Sequence, residues 1–346
     1  MSSSSSDVLI RKNRVTFRDI ARESGVSVAS VTHAFRGNTH VSAEKRAVIL
    51  EAAEKLGYRP HPMVAALMSE VRRKRVAEDQ PVLAIVDFFS GSGLMRHTSR
   101  RLILQGARKR AEELGHRLDL FEPAEQGMEP ASLGRMLYAR NILGIVVPPL
   151  PGEEILPEGV PWEKFCVVTA GFSCQRTGFH SVVADHFAVI NLALQELIQQ
   201  GHQKIGLYIS QDIDHRVCHA WSSAYYHWAI HSKLSPTKYC HFYAEAPTQE
   251  GFWHWVENKQ PDAVIVDFIV DLKQAKARPK CGPQTEIVTL IRHPDYHHMS
   301  GVDQNYFSIG SAAIDLLTSH LYRNEIGPPE FPKKVLIAPK WVKASD

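Results

Sequence analysis

The stretch VTFRDIARESGVSVASVTHAF (residues 15–35) decides how this chain begins to fold. Thr16 can cap a first helix, with Asp19 three residues later as the partner of a capping box and as a negative charge near the positive end of the helix. Gly25 supplies the backbone freedom for a turn that needs a positive φ. Ser27 can then cap a second helix. The stretch therefore predicts two short helices joined by a tight turn.

The apolar residues of the two helices predict how they pack. Ile20 and Ala21 lie on the inward side of the first helix, and Val31 returns to that face from a second helix that runs from Val28 to about Arg36. Ala21 is small enough for the two helices to cross closely. This is the geometry of a helix-turn-helix, whose second helix enters the major groove by its amino-terminal end. A three-helix bundle without a role in DNA binding is the alternative.

A third helix is predicted in SAEKRAVILEAAEKLG, which begins at Ser42 and is stopped by Gly57. Its apolar stripe is predicted to comprise Val48, Ile49, Ala52, Ala53 and Leu56.

A segment rich in proline and then in basic residues follows the third helix. Pro60 and Pro62 separate it from the bundle, and the nearly uncharged residues 63–68 precede a basic run at 72–75. A lone helix of this length is marginal in water and needs a partner surface. Leu67, in its middle, suits insertion between base steps in a minor groove.

Charge is distributed unevenly along the chain of 346 residues. Residues 1–75 hold 14 Lys+Arg and 7 Asp+Glu, a balance of +7, and the remainder holds 40 − 14 = 26 basic and 37 − 7 = 30 acidic residues, a balance of −4. A basic head on a slightly acidic body is typical of a nucleic-acid-binding module joined to a different functional unit. With 44% hydrophobic and 22% charged residues, the composition is that of a globular protein.

The sequence predicts a cytoplasmic protein with reduced thiols. No apolar run reaches the roughly 18 residues of a membrane span, and the serine run at residues 2–6 has no apolar h-region behind it. The five cysteines are scattered and form no C-x-x-C motif, so a disulfide framework is not expected.

The head resembles the LacI/GalR family of bacterial transcription regulators. The resemblance rests on TFRDIARESGVSVASVTHAF, HVSAEKRAVILEAAEKLGYRP and the segment with Leu67, whose order and spacing match through residues 15–69. It implies that Leu67 wedges into the minor groove at the centre of a palindromic operator. It also implies base-reading positions at Val28, Ala29 and His33. Positions that contact phosphates or cap helices against the backbone are implied at Thr16, Ser27, Ser30, Thr32, His40 and Ser42.

Two departures from the family pattern affect the expected operator. His33 stands where the family usually has Arg, so a guanidinium that pairs with guanine is replaced by a shorter imidazole and the preferred bases should differ. His61 and Pro62 replace the usual Asn and a variable residue at the start of the hinge helix.

The body alternates short apolar strands with helices, which predicts parallel sheets in open α/β layers. Strands are predicted at residues 82–89, 117–121, 142–149, 165–171, 204–210, 262–268 and 286–291. The body resembles the sensor domain of the same family, which has the periplasmic-binding-protein-like fold of two lobes. The segments that carry this resemblance are QGARKRAEELGHRL, VVADHFAVINLALQELIQQGHQKIGLYIS, PDAVIV, GVDQNYFSIGSAAIDLL and VLIAPKWV.

The predicted architecture is an all-α helix-turn-helix domain followed by a two-lobed α/β sensor domain. The predicted parts are the helix-turn-helix domain 1–60, the hinge helix and linker 61–80, and the sensor domain 81–346. Lobe 1 is expected at about 82–181 and 305–331, and lobe 2 at about 182–304 and 332–346. The fold implies three crossovers between lobes, near residues 182, 304 and 332.

Ligands of this fold sit between the lobes, at the carboxyl ends of the strands. Position predicts effector contacts at Ser90, Ser92, Arg101, Arg216, Asp267, Phe268, His293 and Gln304. Arg216 matches an arginine that forks onto ligand hydroxyls or carboxylates in sugar-responsive relatives, and a surface salt bridge is its alternative. The family's Asn-Asp pair is Phe268-Ile269 here, and its Gly-Phe-Asp-Asp is the run at 291–294. The effector is therefore a sugar, an anionic or aromatic-stacked ligand, or absent.

Other constellations predict no site. His215 with His219 and His227 with His231 are spaced i, i+4, but neither pair has a third ligand or an H-E-x-x-H motif, so no metal is predicted. The indoles of the 253–255 region favour a lobe core over a stacking wall. No cofactor is predicted.

The sequence as a whole predicts a transcriptional regulator that acts as a repressor, and no enzyme. It should bind a near-palindromic double-stranded DNA operator as a homodimer, without contact to a membrane, under control of a small-molecule effector. Two alternatives remain open, namely a DNA-binding protein with a ligand-free, vestigial body and an α/β enzyme fused to a DNA-binding head.

Overall fold

The computed structural model describes residues 15–36, 41–56, 58, 80–88, 98–149, 156–171, 178–233, 235–243, 247–270, 285–294 and 297–345. By internal contacts the chain divides into two compact units, residues 1–71 and 72–346. The predicted hinge segment around Leu67 lies outside the described residues.

All seven predicted strands are present in the described part of the chain, together with five strands that were not predicted. The described helices of eight or more residues are α1 (Phe17–Ser24), α2 (Val28–Arg36), α3 (Ala43–Lys55), α4 (Thr98–Glu113), α5 (Pro130–Ala139), α6 (His186–Gln199), α8 (Ala220–His231), α10 (Gln249–Lys259) and α11 (Tyr306–Tyr322), and the short ones are α7 (Gln211–Arg216) and α9 (Pro236–Tyr239). The strands are β1 (Val82–Val86), β2 (Arg117–Phe121), β3 (Gly144–Val147), β4 (Cys166–Ala170), β5 (His180–Ala184), β6 (Ile205–Ser210), β7 (Cys240–Tyr243), β8 (Ala263–Val266), β9 (Glu286–Thr289), β10 (Gly301–Asp303), β11 (Lys334–Ile337) and β12 (Lys340–Val342).

The three helices of the first unit enclose a small apolar core. Ile20 from α1, Val31 from α2 and Ile49 from α3 are completely buried. One predicted member of the α3 stripe is outside this core, because Val48 is 48% exposed. The buried residues of α3 repeat at i, i+3 and i+4 from Ile49, and Val48 precedes that stripe by one position.

The second unit contains two six-stranded sheets. The first has the order β11-β5-β4-β3-β1-β2 and the second has the order β12-β10-β9-β8-β6-β7. The pairings are parallel, except that β12 is antiparallel to β10. Parallel strands buried on both faces require helices on both sides, which matches the apolar runs of the sequence. Each sheet with its helices forms one lobe.

The chain passes between the two sheets three times. The passages lie at Asp185, after β5, at Gln304–Asn305, after β10, and at Ala338–Pro339, between β11 and β12. The third passage was predicted near residue 332. It lies later because Lys334–Ile337 pair with β5 in the first sheet. Each of the three passages starts at the carboxyl end of a parallel strand, so these edges of the two sheets lie on the side where the lobes are joined.

Close contact between α4 and α11 covers one face of the first sheet. A β-carbon added at Gly106 would lie 1.9 Å from the Phe307 carbonyl oxygen, and one added at Gly310 would lie 2.0 Å from the Ile103 carbonyl oxygen. The two helices therefore touch backbone to backbone, with Ile103 and Ile314 buried in the core beside them.

We expect Gly310→Ala to lower the free energy of unfolding of the body by about 1–3 kcal/mol, because the added methyl group overpacks this contact. Urea unfolding of the full chain measures the change. Ser308→Ala, in the same helix, is the control and should change the free energy by less than about 0.5 kcal/mol. Equal stability of Gly310→Ala and wild type would contradict the close packing.

A buried imidazole lies where the chain first passes between the lobes. His186 begins α6, is 8% exposed and packs edge-on against Trp221, with 5.5 Å between ring centroids. Burial lowers the pKa of His186 from 6.5 to about 4, against the opposing charge of Asp185. The folded protein thus keeps this ring neutral.

Because the pKa of His186 is lower in the folded than in the unfolded chain, its contribution to stability is complete above pH 6.5 and falls as the pH is lowered to about 4. Between pH 7 and pH 4 the wild type should lose more free energy of unfolding than His186→Gln does, by about 3 kcal/mol. Urea unfolding at each pH measures both losses. His254→Gln, at an exposed position, should keep the wild-type pH dependence. Parallel curves for wild type and His186→Gln would contradict the assignment.

Candidate nucleic-acid interface and effector cleft

The turn between α1 and α2 is held by local hydrogen bonds and by one left-handed glycine. Gly25 has φ 66°, the conformation that the sequence predicted. At the start of α1, the Asp19 carboxylate accepts hydrogen bonds from the Thr16 amide, at 2.9 Å, and from the Thr16 hydroxyl, at 2.7 Å. These bonds to Thr16 lower the pKa of Asp19. The charge of Asp19 therefore remains at the positive end of the helix.

Ser27 begins α2 in the way that the sequence predicted. Its hydroxyl oxygen accepts a hydrogen bond from the Ser30 amide at 3.1 Å, and the two serine hydroxyl oxygens are 2.9 Å apart. Ser42 caps α3 by a longer bond of 3.4 Å from the Lys45 amide. Ser27 and Ser30 thus lie together at the amino-terminal end of the second helix, where backbone N–H groups attract phosphate.

The two faces of α2 are clearly different. Val31 and Ala34 are buried against α1 and α3, and Arg46 of α3 donates a hydrogen bond of 3.0 Å to the Ala34 carbonyl. Val28, in contrast, is 42% exposed, and Ala29 beside it is exposed as well. The first turn of α2 therefore lies on the surface of the head, opposite the side that packs in the core.

Four of the predicted DNA contacts have no described side chain. His40 and Leu67 lie outside the described residues, and only the helical backbone is described for Thr32 and His33. Their roles stay predictions.

The facing edges of the two sheets form the candidate effector cleft. In the first lobe, Asp87 directly follows β1 and forms a completely buried ion pair with Arg100 of α4. The predicted contact Arg101 is the next residue and is half-buried. Sequence reasoning missed Asp87 and Arg100, although an acidic residue directly after an apolar strand is a readable signal. Ser90 and Ser92 lie outside the described residues.

In the second lobe, Asp267 follows β8 and is 3% exposed. Its carboxylate accepts hydrogen bonds from the Ser210 amide, at 2.9 Å, and from the Tyr243 hydroxyl. Burial raises the pKa of Asp267 to about 6, while these bonds and the charge of Arg216 oppose the rise. Arg216 ends α7, which directly follows β6, and is half-buried.

Phe268 places an aromatic ring beside that carboxyl group. Its ring centroid is 5.6 Å from that of Phe252, 5.8 Å from that of Tyr243 and 5.9 Å from that of Tyr208. The neighbouring indoles, Trp253 and Trp255, are 1% and 7% exposed and belong to the core, as the sequence favoured. The half-buried Phe268 therefore forms the aromatic end of a packed cluster.

The loop after β9 brings together the remaining predicted contacts and one that was missed. Gln304 is 3% exposed and donates a hydrogen bond of 2.7 Å to the Leu290 carbonyl. His293 is 7% exposed, and Arg292, which was not predicted, is 5% exposed. The amide of Arg292 donates to the Val302 carbonyl at 3.1 Å, which ties the loop to β10. No sequence pattern marked Arg292, because only burial distinguishes it from a surface arginine.

The two histidine pairs noted in the sequence do not form a metal site with other described residues. The ring centroids of His215 and His219 are 5.6 Å apart and those of His227 and His231 are 4.3 Å apart. Each of these pairs lacks a third ligand among the described residues.

A different group of three possible ligands exists at the edge of the first lobe, where atoms of His180, His320 and Glu325 lie within 4.8 Å of one another. Two of the three already have protein partners, since His180 Nδ1 accepts from the Lys333 amide at 2.8 Å and the Glu325 carboxylate accepts from Arg323 Nε at 2.6 Å and bonds to His320. The two imidazoles stack with 4.0 Å between centroids, whereas a metal bound by both would lie near the plane of each ring.

Within the described part of the chain, every helix is too short or too polar to cross a membrane.

Comparison with known proteins identifies the head. Residues 16–61 match the family model described as "Bacterial regulatory proteins, lacI family". The chain is similar to catabolite control protein A of Priestia megaterium, with 23% identity over 90% of this chain and 94% of that protein. It is also similar to the regulator GalS of Salmonella typhimurium, with 25% identity over 59% of this chain and 55% of GalS. The lactose operon repressor of Escherichia coli is 24% identical over 56% of this chain and 50% of the repressor.

Solved structures show the same fold over almost the whole chain. A "transcriptional regulator CelR-cellobiose complex" superposes with a TM-score of 0.55 at 17% identity and covers 95% of this chain and 98% of that chain. The lac repressor dimer bound to operator and the anti-inducer ONPF has a TM-score of 0.55 at 18% identity and covers 96% of this chain and 98% of that chain.

The named relatives are transcriptional regulators and not enzymes. The helix-turn-helix head, the two-lobed body and these similarities lead to one assignment. Residues 16–61 carry the head of the lacI family of bacterial regulatory proteins, and the chain as a whole is similar to regulators that share this head and this fold.

Proposed function

We propose that the protein is a repressor that binds a near-palindromic DNA operator as a homodimer. A small molecule in the cleft between the two lobes controls this binding. The observation that carries the proposal is the exposed first turn of α2, which follows the Gly25 turn and is capped by Ser27.

Val28 and Ala29 are the proposed base-reading residues of that turn, together with His33. Val28 and Ala29 are exposed, while Val31 and Ala34 of the same helix are buried. The helix can therefore lie in a major groove without loss of the core of the head. Small apolar side chains at its tip suit contact with the methyl group of thymine.

Contacts to the DNA backbone are proposed for the residues around the helix starts. Ser27 and Ser30 share one hydrogen-bonded site at the start of α2, and Ser42 starts α3. Thr32, His40 and Thr16 complete the proposed set. Such contacts fix the orientation of a protein on the duplex and carry no sequence information of their own.

The dimer places two recognition helices in successive major grooves. Two half-sites one helical turn apart match the two-fold symmetry of such a dimer. Leu67 from each partner is proposed to insert at the centre of the operator and to kink the minor groove there. The lac repressor structure named above is a dimer bound to its operator, which supports this arrangement.

The cleft between the lobes is the proposed effector site. Arg216, Asp267 and Phe268 come from the carboxyl ends of the second sheet, and His293 and Gln304 come from the adjoining loop and passage. Ser90, Ser92 and Arg101 are proposed for the first lobe. A ligand that changes the angle between the lobes would alter DNA affinity by a coupling free energy of about 1–3 kcal/mol.

A second candidate function is DNA binding with a body that binds no ligand. The observation that favours it is the internal engagement of Asp87 by Arg100 and of Asp267 by Tyr243. Carboxylates that bind sugar hydroxyls would have to exchange these partners. An effector that changes operator affinity distinguishes the two candidates.

Selection of bound sequences from a random DNA pool by the full-length chain tests the proposed function. We expect enrichment of a near-palindrome whose half-site centres are about one helical turn apart. Enrichment of no sequence, at a salt concentration where the chain still binds DNA, would contradict it.

Val28→Gln should change the selected half-site or weaken binding to the wild-type site at least tenfold, because the altered side chain sits at the tip of α2. Fluorescence anisotropy with the selected operator measures the affinity. Val48→Gln is the matched control, since Val48 is a similarly exposed valine on α3. Equal effects of both substitutions on operator affinity would contradict the proposal that Val28 contacts bases.

Leu67→Ala should weaken specific binding by tenfold or more and leave non-specific binding nearly unchanged, because only the specific complex contains the kinked step. Titrations with the selected operator and with a scrambled duplex at the same salt concentration measure both affinities. Equal losses on the two duplexes would exclude the wedge.

A further inference from the structure

We propose that the effector carries an anionic group that pairs with Arg292. The inference rests on the proposed effector cleft and names the chemical class of its ligand. The anion is a carboxylate or a phosphate, since both present the paired oxygens that a guanidinium binds.

Arg292 lies at the edge of the second sheet that faces the first. It follows the last residue of β9 by three positions, and its amide is bonded to Val302 of β10. Two residues back, the Leu290 carbonyl accepts the side-chain hydrogen bond of Gln304, at the passage between the lobes. The backbone of Arg292 therefore lies at the same sheet edge as the proposed effector contacts.

Arg292 forms no ion pair within the part of the chain that the structure describes. Its side chain is buried and donates to the backbone carbonyls of His293 and, at 3.5 Å, His297. Its Nε atom has no hydrogen-bond acceptor among the described residues. A buried cation is normally paired with an anion, because backbone carbonyls only partly replace the water that burial removes.

The acidic groups of the cleft are engaged by other partners. Asp87 pairs with Arg100, and Asp267 accepts from Tyr243 and Ser210. The cleft therefore has no described carboxylate directed to Arg292.

The residues around Arg292 also differ from those expected for a neutral sugar. In the family pattern an acidic pair follows this strand, whereas His293 and Pro294 stand at those positions here. Arg292 stands at the position of the family's phenylalanine, so two negative charges are lost here and one positive charge is gained. A ligand with a negative group satisfies this site, and a neutral polyol does not.

Thermal unfolding of the full-length chain at constant ionic strength tests the inference. The probes are gluconate, glucose 6-phosphate and benzoate, with neutral glucose as the uncharged comparison. We expect a saturable rise of the unfolding midpoint with at least one anion and none with glucose. Gluconate or benzoate as the active probe identifies a carboxylate, and glucose 6-phosphate identifies a phosphate.

Two substitutions of Arg292 separate charge from structure. Arg292→Gln should weaken binding of the active anion at least tenfold, and Arg292→Lys should keep part of the response because it keeps the charge. The matched control is Arg110→Gln, which removes one positive charge from a surface pair with Glu113 and Asp315. It should respond to the anion as the wild type does.

Several results would overturn the inference. They are a flat response to all three anions, an undiminished response in Arg292→Gln, or an equal loss in Arg110→Gln. Asp295 follows Arg292 by three positions and lies outside the described residues. If Asp295→Asn and Arg292→Gln lower the midpoint without ligand by equal amounts, and the double variant lowers it no further, the partner is internal and the inference fails.

Operator binding is measured in the same variants. Arg292→Gln should bind the selected operator but no longer change its affinity when the active anion is added. If the wild type binds the operator but does not respond to the anions, the proposed DNA-binding function stands and the anionic effector is excluded. Absence of sequence-specific DNA binding in the wild type would remove the proposed function, whatever the anions do.

Discussion

The pairing of β11 with β5 is the constraint on which the form of the body depends. Val335 lies opposite Val182, so the chain returns to the first sheet after it has completed most of the second. It must then pass over once more to reach β12, which pairs with β10. Three passages at the carboxyl ends of the strands hold two lobes face to face and leave a cleft between them. The same passages make a change in the angle between the lobes possible without disruption of either sheet.

Charge inside the body follows a consistent arrangement. The buried carboxylates at the facing edges have cations or hydroxyl groups as partners, as the pair of Asp87 with Arg100 illustrates. Arg292 is the exception within the described residues, because its hydrogen bonds end on backbone carbonyls. This difference is the basis of the proposal that the effector carries an anionic group.

The inner and outer sides of the head have different roles. Interior residues such as Ile20 and Val31 hold the helices at a fixed angle, and the capped start of α2 is left exposed. A recognition helix needs this rigidity, since base contacts lose their value when the helix can tilt. In the proposed function, DNA binding by the head and effector binding by the body are thermodynamically coupled. Binding of DNA and binding of an effector must influence each other by the same factor when both act on one dimer.

Sequence by itself determined the local structure. The caps at Thr16 and Ser27, the turn at Gly25 and the seven apolar strands were readable because each depends on residues that are near neighbours in the chain. The prediction that Val48 is buried was wrong. On a short helix, neighbouring positions such as 48 and 49 can be exposed and buried, and the sequence pattern does not show which of them faces the core. Only the tertiary structure decided the third passage between lobes, the pair of Asp87 with Arg100 and the burial of Arg292. Each of these joins or encloses residues from different elements, and desolvation, which makes a charge significant, depends on what surrounds it and not on its neighbours in sequence.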